Sequence, residues 1–362
     1  MSNRIIIAGG GTGGHIFPAI AIANALVAQD PSVEILFVGA RGKMEMEKVP
    51  EAGYRIEGIT IAGFNRSSFF KNISLPFKLV KSYFQVKKIF KEFLPDAVVG
   101  VGGYSTLPVL RLAQAQGIPT FIHESNSFAG KANIYLGKKA TRIFVASDGM
   151  QKFFPANKIM ITGNPVRKQI TNSTISRTEA IKYFNLKESL TTILVMGGSL
   201  GAKSINDAML EHMGQFERRH LQLIWQTGKT NADKYKHAAE GKEYIWINEF
   251  ITDMEMAYAA ADVVVSRAGA MAVTEICIQA KPAVFVPFPL ASEDHQTHNA
   301  MRLVNKSAAL IVRDGDAKLQ LVSTSIQLAK DIEMRALFTK NCKLLALKNA
   351  DTVIANEILT SI

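Results

Sequence analysis

The sequence predicts an α/β fold of two Rossmann-like domains, each built on a doubly wound parallel sheet. Three observations support this prediction. Short β-branched, apolar runs alternate with helical patterns along the chain, which is typical of parallel sheets covered by helices. Several runs, such as Ile5–Ala8, are apolar without alternation, as expected for strands buried on both faces. The length of 362 residues fits two domains of roughly 100–200 residues each.

Six strands are predicted in each half of the chain. In the first half they are Arg4–Ala8, Val33–Val38, Ala97–Val101, Thr120–His123, Arg142–Ala146 and Lys158–Thr162. In the second half they are Thr192–Met196, Gln222–Gln226, Tyr244–Ile247, Asp262–Ser266, Ala283–Pro287 and Ala309–Val312. Both halves open with a strand that runs into a Gly-rich loop, at Gly9–Gly14 and at Gly197–Gly201. These openings lie a whole domain length apart, unlike the units of a short repeat.

The charge is concentrated in the first half. A turn-rich segment, Gly163–Arg167, predicts a boundary near residue 165. Of the net charge of +11, residues 1–165 contribute +9, from 19 basic and 10 acidic side chains, and the remainder contributes +2. This excess favours an anionic partner, which is nucleic acid, a phosphorylated ligand or an anionic membrane surface.

The composition excludes several classes of protein. A hydrophobic fraction of 48% with 20% charged residues is globular rather than disordered. Cys277 and Cys342 are too few for a disulfide scaffold and fit a reducing compartment. Uninterrupted apolar runs stay short of the ~18 residues of a membrane-spanning helix, and Ile5–Ala8 ends in glycines rather than extending into a signal peptide. We therefore expect a cytoplasmic protein.

The densest basic patch lies at residues 64–93, which hold seven Lys or Arg, one Glu and eight aromatic residues. Positions 76–93 predict an amphipathic helix with Leu79, Tyr83, Val86, Phe90 and Phe93 on its apolar face. Either an ordinary solvated helix or a membrane-surface element explains the pattern. The mixture of aromatic and basic residues favours the second, and the predicted membrane contacts are Phe69, Phe70, Lys71, Lys78 and Lys81.

The first Gly-rich loop satisfies the dinucleotide-binding pattern, in which backbone N–H groups and a helix dipole favour a phosphate. That pattern also requires an acid after the second strand, where this chain has Arg41 and Lys43. NAD is therefore disfavoured, and an NADP-dependent oxidoreductase stays as an alternative. His15 follows the loop at a helix N-terminus, a suitable position for a base or for a hydrogen bond to a ligand.

Two further loops of the first half follow strands at the edge where open α/β sheets bind ligands. One is the Gly-rich segment Gly100–Ser105, and the other is His123–Asn126. His123 and Glu124 fit either an acid–base pair or hydrogen-bonded loop structure.

In the second half, Ser266–Glu275 opens a helix with small residues that suit a diphosphate. Glu275 fits a ribose-binding acid or a residue that stabilises the helix dipole. His295 and His298 have no cluster of further ligands in the sequence, so a catalytic metal is disfavoured.

Six segments together carry a resemblance in order and spacing: Gly9–Ala19, Gly100–Tyr104, His123–Asn126, Gly163–Arg167, Gly197–Ala202 and Ser266–Glu275. They resemble the MurG family of bacterial UDP-N-acetylglucosamine transferases over nearly the whole chain. The resemblance implies a GT-B fold, in which two Rossmann-like domains face across a cleft. It implies an N-terminal acceptor- and membrane-associating domain at 1–165, joined by a C-terminal helix at about 345–362. The UDP-GlcNAc-binding domain would then be 166–344.

The resemblance also implies an inverting transferase of peptidoglycan synthesis, peripheral to the cytoplasmic face of the plasma membrane. GlcNAc would pass from UDP-GlcNAc to the C4 hydroxyl of MurNAc in undecaprenyl-diphospho-MurNAc-pentapeptide. No cofactor, metal or nucleic acid is implied, since backbone N–H dipoles can stabilise the departing UDP. Another GT-B transferase is the nearest alternative. An NADP-dependent oxidoreductase and a nucleic-acid binder are the more distant ones.

Site residues follow from the matching positions. His15 matches a catalytic base or a diphosphate contact. The UDP-GlcNAc set is Thr12, Gly13, Gly14, Asn126, Arg167, Ser199, Ile251, Ala270, Met271, Glu275 and Gln296, and the acceptor-diphosphate set is Gly13, Gly14, Gly103 and Tyr104. Within the donor set, Glu275 would bind the ribose and the backbone of Ile251 would read uracil. Ser125 and His295 stand where the family, or some of its members, has Gln, so their roles are open.

Overall fold

In a computed structural model that describes residues 2–63 and 75–362, the first half of the chain forms a seven-stranded parallel sheet. The strand order is β3-β2-β1-β4-β5-β6-β7. The strands are β1 (Arg4–Gly9), β2 (Glu34–Ala40), β3 (Arg55–Ile59), β4 (Ala97–Gly102), β5 (Thr120–Glu124), β6 (Arg142–Val145) and β7 (Ile159–Ile161). The order reverses at β1, which pairs with β2 on one side and β4 on the other. This is the doubly wound topology that the sequence predicts.

The second half repeats the plan in a six-stranded parallel sheet of order β10-β9-β8-β11-β12-β13. Its strands are β8 (Thr191–Met196), β9 (Leu221–Gln226), β10 (Ile245–Asn248), β11 (Val263–Ser266), β12 (Ala283–Phe285) and β13 (Leu310–Ile311). Here the order reverses at β8, which pairs with β9 and β11. The predicted parallel α/β architecture is confirmed in both halves.

Helices connect the strands, as parallel pairing requires. With the first sheet come α1 (Gly13–Gln29), α2 (Glu45–Glu51), α3 (Leu75–Phe93), α4 (Thr106–Ala115) and α5 (Lys131–Gly137). With the second come α6 (Lys168–Thr171), α7 (Arg177–Tyr183), α8 (Lys203–His212), α9 (Gly214–Arg218), α10 (Ala232–Ala239), α11 (Met254–Ala260), α12 (Ala270–Ile278), α13 (His295–Val304), α14 (Ala317–Lys330) and α15 (Ile332–Leu345). The chain ends with α16 (Ala350–Thr360).

The strands are apolar because both faces of each sheet are covered. In β1, Ile5 and Ile7 pack in one hydrophobic cluster, and Ile6 and Ala8 pack in another on the opposite face. All four side chains are fully buried. A continuous apolar run is the expected pattern for such a strand, because successive side chains alternate between two buried faces.

The chain divides into two compact units, Met1–Val166 together with Leu347–Ile362, and Arg167–Ala346. The first unit takes up α16, whose Ile354, Ala355 and Ile358 lie in the same cluster as Ile5 and Ile7. Glu357 on this helix pairs with Arg142 at 2.6 Å. Helix α16 therefore packs in the same hydrophobic core as strand β1.

One local feature differs from the sequence prediction. β3 was not predicted, because it is an edge strand with one exposed face, and its charged Arg55 and Glu57 interrupt the apolar pattern. On α3, Val86 and Phe90 of the predicted apolar face are buried, whereas Leu79 and Tyr83 of the same face are exposed.

Candidate active site

Two Gly-rich loops meet at the carboxyl end of the first sheet. The Gly10 N–H donates to the Gly102 carbonyl at 3.2 Å, which joins the loop after β1 to the loop after β4. Gly103 has φ of +93°, and a Cβ there would overlap the Gly10 carbonyl oxygen. Glycine is therefore required at 103 by both conformation and close approach.

His15 is the third residue of α1 and is partly buried. Its Nδ1 lies 3.2 Å from the Gly10 carbonyl oxygen and 3.4 Å from Thr12 Oγ1. Because a carbonyl oxygen can only accept, Nδ1 carries the proton in this bond, and the lone pair of a neutral ring is on Nε2. A Cβ on Gly102 would lie 2.8 Å from Nε2, so glycine makes room for the imidazole edge.

Helix α1 begins at Gly13, and its N-cap residue Thr12 makes no capping hydrogen bond with its side chain. The first N–H groups of a helix have no partner within the helix, so those of Gly13 and Gly14 are suited to an anion. A Cβ on Gly14 would meet only Thr12 Oγ1, at 3.8 Å. The space in front of Gly14 therefore belongs to a ligand or to solvent.

Glu45 is a residue of this site that sequence reasoning missed. It is the first residue of α2, and only 1% of its surface is exposed. Its Oε1 accepts the Ala40 N–H at 2.9 Å, and its Oε2 accepts the Gly11 N–H at 2.7 Å. The available signal was weak, because the dinucleotide-binding pattern draws attention to the end of the second strand rather than to an acid five residues further on.

The polar loop after β5 is held by Glu124. Its Oε1 accepts the Asn126 N–H at 3.0 Å, and its Oε2 accepts from the Gly130 N–H at 3.0 Å and from Asn133 Nδ2 at 2.9 Å. Both oxygens are thus engaged in loop structure. Between the two interpretations left open for Glu124, the geometry favours structure over acid–base chemistry.

His123, beside it, is fully buried. Burial, with a smaller contribution from the neighbouring His15, lowers its pKa to about 4, although hydrogen bonds with Gly163 and Asn164 partly oppose the shift. The ring is therefore neutral at neutral pH. Ser125 is also buried, and its Oγ lies 3.4 Å from His123 Nδ1.

The other predicted residues of the first unit are more accessible. Asn126 is partly buried, and its amide Nδ2 donates to Glu124 at 3.3 Å. Tyr104 is 50% exposed. Its ring lies so close to Gly63 that a Cβ on residue 63 would overlap the ring.

In the second unit, the Gly-rich loop after β8 is held by backbone contacts. The Lys229 N–H donates to the Ser199 carbonyl at 3.2 Å, and the Thr230 N–H donates to the Leu200 carbonyl at 3.3 Å. Gly201 has φ of +84°, and a Cβ there would overlap the Thr227 carbonyl oxygen. Ser199 itself is exposed.

Glu275, on α12, is the one acid of the predicted donor set, and its pKa is perturbed. Burial raises its pKa, while Arg167 and a hydrogen bond from Tyr258 partly oppose that shift. Arg167 Nη2 lies 3.9 Å from Glu275 Oε1, and the Tyr258 hydroxyl donates to Oε2 at 3.1 Å. With side-chain exposures of 13% for Glu275 and 45% for Arg167, the pair forms a partly enclosed ion pair open to a polar ligand.

The remaining predicted donor residues lie at the start of α12, on α13 and in the loop after β10. Ala270 and Met271 are its first two residues, and both are partly exposed. Gln296 Oε1 accepts the N–H groups of Ala268 at 3.2 Å and of Phe288 at 2.9 Å, so it ties two loops together. The Ile251 N–H donates to Gln226 Oε1 at 3.1 Å, which leaves its carbonyl as the backbone group suited to a base.

Within residues 2–63 and 75–362, there is no group of three or more His, Cys, Asp or Glu side chains that could hold a metal ion. His295 Nδ1 donates to the Ser292 carbonyl at 2.6 Å. His298, one turn along α13, is exposed.

Of the predicted membrane contacts, Phe69, Phe70 and Lys71 lie outside the described residues. Lys78 and Lys81 lie on α3, beside an exposed apolar stripe of Phe77, Val80 and Phe84. Phe77 is 77% exposed and Phe84 is 64% exposed. Within the part of the chain that the structure describes, no helix has the length and apolarity needed to cross a membrane.

Comparison with known proteins extends this picture. The glycosyltransferase family 28 N-terminal domain matches residues 5–145, and the C-terminal domain of the same family matches residues 192–356. A protein of Phocaeicola vulgatus named UDP-N-acetylglucosamine–N-acetylmuramyl-(pentapeptide) pyrophosphoryl-undecaprenol N-acetylglucosamine transferase is 50% identical over 98% of this chain and 95% of its own length. A Parabacteroides distasonis protein of the same name is 47% identical over 98% and 97%.

Solved structures agree with the fold. The crystal structure of Acinetobacter baumannii MurG matches with a TM-score of 0.79 and 30% identity, covering 99% of both chains. The glycosyltransferase of kitacinnamycin matches with a TM-score of 0.75 at 15% identity over 99% of both chains, which shows the shared fold alone.

Proposed function

The chain belongs to glycosyltransferase family 28, and from this premise we propose that it transfers GlcNAc from UDP-GlcNAc to undecaprenyl-diphospho-MurNAc-pentapeptide. The observation that carries the proposal is the near full-length similarity to proteins named for this reaction. The new bond joins the GlcNAc anomeric carbon to the C4 hydroxyl of MurNAc, with inversion from the α to the β configuration.

The second unit binds the donor. The Glu275 carboxylate accepts hydrogen bonds from the ribose hydroxyls, and its partner Arg167 supplies positive charge towards the diphosphate. Ser199 and the N-terminus of α12, at Ala270 and Met271, add hydroxyl and N–H donors. Gln296 holds the loops that line the sugar, and the Ile251 carbonyl reads the base.

The first unit supplies the base and holds the acceptor. His15 Nε2 takes the proton of the C4 hydroxyl, and that oxygen attacks the anomeric carbon in line. The bond from the anomeric carbon to the UDP oxygen breaks, and its electron pair leaves with UDP. The acceptor diphosphate binds at Gly13 and Gly14, next to Gly103 and Tyr104.

The α3 surface contacts the membrane that holds the lipid acceptor. Phe77, Val80 and Phe84 follow an i, i+3, i+7 spacing and form one exposed apolar stripe. Lys78 and Lys81 flank that stripe and suit anionic headgroups. The exposed stripe and its flanking lysines support a peripheral location at the cytoplasmic face of the plasma membrane.

A transfer assay tests the proposal directly. Radiolabelled UDP-GlcNAc is incubated with the lipid-linked MurNAc-pentapeptide, with and without chelator, and label is followed into the lipid. We expect label in a disaccharide lipid and release of UDP. Transfer only to other acceptors, or from other nucleotide sugars, would identify a different sugar transferase.

Liposome sedimentation tests the membrane surface. The Lys78→Glu, Lys81→Glu double variant should lose binding to anionic vesicles, and wild-type binding should weaken as salt rises. The control reverses Lys330 and Lys340, exposed lysines of the second unit. Equal binding by both double variants would show that α3 is only a solvated surface.

A further inference from the structure

The glycines around Glu45 are shaped to fit its carboxylate. A Cβ at Gly10 would overlap the carboxyl group, and a Cβ at Gly39 would lie 2.5 Å from Glu45 Cγ. Gly10 also has φ of +143°, a conformation that other residues rarely adopt. Part of the Gly-rich pattern in the first loop therefore serves an internal carboxylate rather than a bound ligand.

This arrangement changes which N–H groups can bind an anion. The Gly11 N–H points at Glu45 Oε2, at 2.7 Å, and is therefore not available to a phosphate. The N–H groups suited to the acceptor diphosphate are those that follow, at the start of α1. Glu45 thus fixes the conformation of the loop without occupying the ligand's place.

The same loop sets the state of His15. The Gly10 carbonyl that accepts from His15 Nδ1 belongs to the peptide unit whose N–H, on Gly11, donates to Glu45. A peptide unit is planar, so the N–H and C=O on its two sides point in opposite directions and turn together. Holding the Gly11 N–H on Glu45 therefore aims the Gly10 carbonyl at the imidazole.

We propose that Glu45 is a positioning residue for His15. Through the Gly10–Gly11 peptide it keeps the proton on Nδ1 and the lone pair on Nε2, the form that a base requires. This inference rests on the proposed function, in which His15 accepts the proton of the sugar hydroxyl. A charge-assisted hydrogen bond to a buried carboxylate is strong enough to hold one peptide orientation against its alternatives.

The test is Glu45→Gln, with Glu47→Gln as matched control. The amide keeps the shape of the side chain but has only one acceptor oxygen. Its NH2 group must therefore face the N–H of either Gly11 or Ala40, and two donors cannot form a hydrogen bond. Glu47 lies on the same helix, and its side chain is 70% exposed. We expect Glu45→Gln to lower kcat about 10- to 100-fold with a donor KM within about twofold of wild type, and Glu47→Gln to change neither.

A second measurement is independent of turnover. In protein labelled with 15N-histidine, the His15 signal is assigned by its loss in His15→Gln. We expect wild type to show protonated Nδ1 and unprotonated Nε2, and Glu45→Gln to show a mixture of the two tautomers. This readout decides the Glu45 proposal even if the transfer assay reveals a different acceptor.

Two results would overturn the proposal. One is an unchanged His15 tautomer in folded Glu45→Gln, and the other is a loss of kcat no greater than that of Glu47→Gln. If Glu45→Gln does not fold, Glu45→Ala replaces it, because alanine leaves the Gly11 N–H without its carboxylate acceptor. A wild-type tautomer and kcat in folded Glu45→Ala would equally refute the role.

Discussion

The two Gly-rich loops hold the same position in their sheets but are built differently. β1 and β8 each lie where the strand order reverses, and each leads through glycines into a helix. The first loop is joined to a neighbouring loop through the Gly10 N–H and is also anchored by a buried carboxylate, because Glu45 accepts the Gly11 N–H. The second loop is anchored through its carbonyls, which accept from the Lys229 N–H and from Gln226 Nε2.

The difference concerns what each loop presents. In the first loop, anchored by the carboxylate, α1 starts at Gly13, so that His15 lies in the first turn of the helix, directly after Gly14. In the second loop, anchored through its carbonyls, Ser199 is exposed at a turn several residues before α8. The first arrangement favours a fixed catalytic group, and the second favours an open anion-binding turn. Variants in the two units test this contrast.

The largest effect is expected at His15. If it is the base, His15→Ala should lower kcat by ~10²–10⁴-fold with little change in donor KM, because proton transfer is lost and donor contacts are kept. Steady-state kinetics with varied donor and acceptor measure this. A near-normal kcat with a raised acceptor KM would leave His15 only a diphosphate-binding role.

A pH effect on stability should come from His123 of the first unit. Its buried ring has a pKa of about 4 against the ordinary 6.5. The unfolded chain therefore takes up a proton first as the pH falls from 6.5, and up to about 3 kcal/mol of unfolding free energy is lost by pH 4. Urea unfolding from pH 7 to 4 should show this loss in wild type beyond that of His123→Asn. If wild type and His123→Asn lost the same unfolding free energy over this pH range, the effect could not come from His123.

In the second unit, substitution of Glu275 should weaken binding of the donor. Glu275→Gln should raise the donor KM about 10- to 100-fold, because hydrogen bonds from the ribose to a charged acceptor are lost. Glu243→Gln, whose parent side chain is 86% exposed, is the control. An unchanged donor KM in Glu275→Gln would remove the ribose assignment.

The pH dependence of the same residue has the opposite sign from that of His123. Because burial raises the Glu275 pKa above 4.5, stability is lost as the pH rises through the raised pKa, and Glu275→Gln should not destabilise the protein. Donor KM in wild type should rise as the pH falls towards that pKa, since the carboxylate is protonated there. The variant should lack this dependence.

Gly14→Ala tests the anion site of the first loop. The added methyl meets only Thr12 Oγ1 in the protein, so the variant should fold normally. It should raise the acceptor KM about 10-fold by keeping the diphosphate away from the helix N–H groups. Unchanged acceptor affinity would show that the diphosphate binds elsewhere.

The smallest effect is expected at Ser199 of the second loop. Removal of one exposed hydroxyl in Ser199→Ala should raise the donor KM by roughly 2- to 10-fold, the range for a neutral hydrogen bond. Acceptor KM should stay the same. A loss of kcat as large as that of His15→Ala would abolish the contrast between the two loops.

Sequence reasoning was most successful where a signal is local. The runs around Ile5–Ala8 and Val263–Ser266 predict buried parallel strands, and these are confirmed because burial on two faces leaves a continuous apolar run. The family resemblance is confirmed as well, since Gly-rich loops and their flanking residues occupy fixed offsets from those strands. The roles of individual site residues stay predictions.

It was least successful where a residue's partner is distant in the chain. Glu45 was missed because its significance depends on Gly11, which is brought to it by the pairing of β1 with β2. On α3, periodicity identified the apolar face that includes Leu79 and Tyr83 but not how much of that face the core covers, and both side chains are exposed.

By itself the sequence determined the parallel α/β fold, the family and the positions of the Gly-rich loops, because each depends on residue spacing along one stretch of chain. Tertiary structure decided that Glu124 organises its own loop, that Gln296 ties Ala268 to Phe288, and that Glu45 holds the loop before His15. It also placed α16 in the core beside β1. These outcomes depend on which hydrogen-bond partners are left for a buried polar group once the strands have paired, and spacing along the chain does not contain that information.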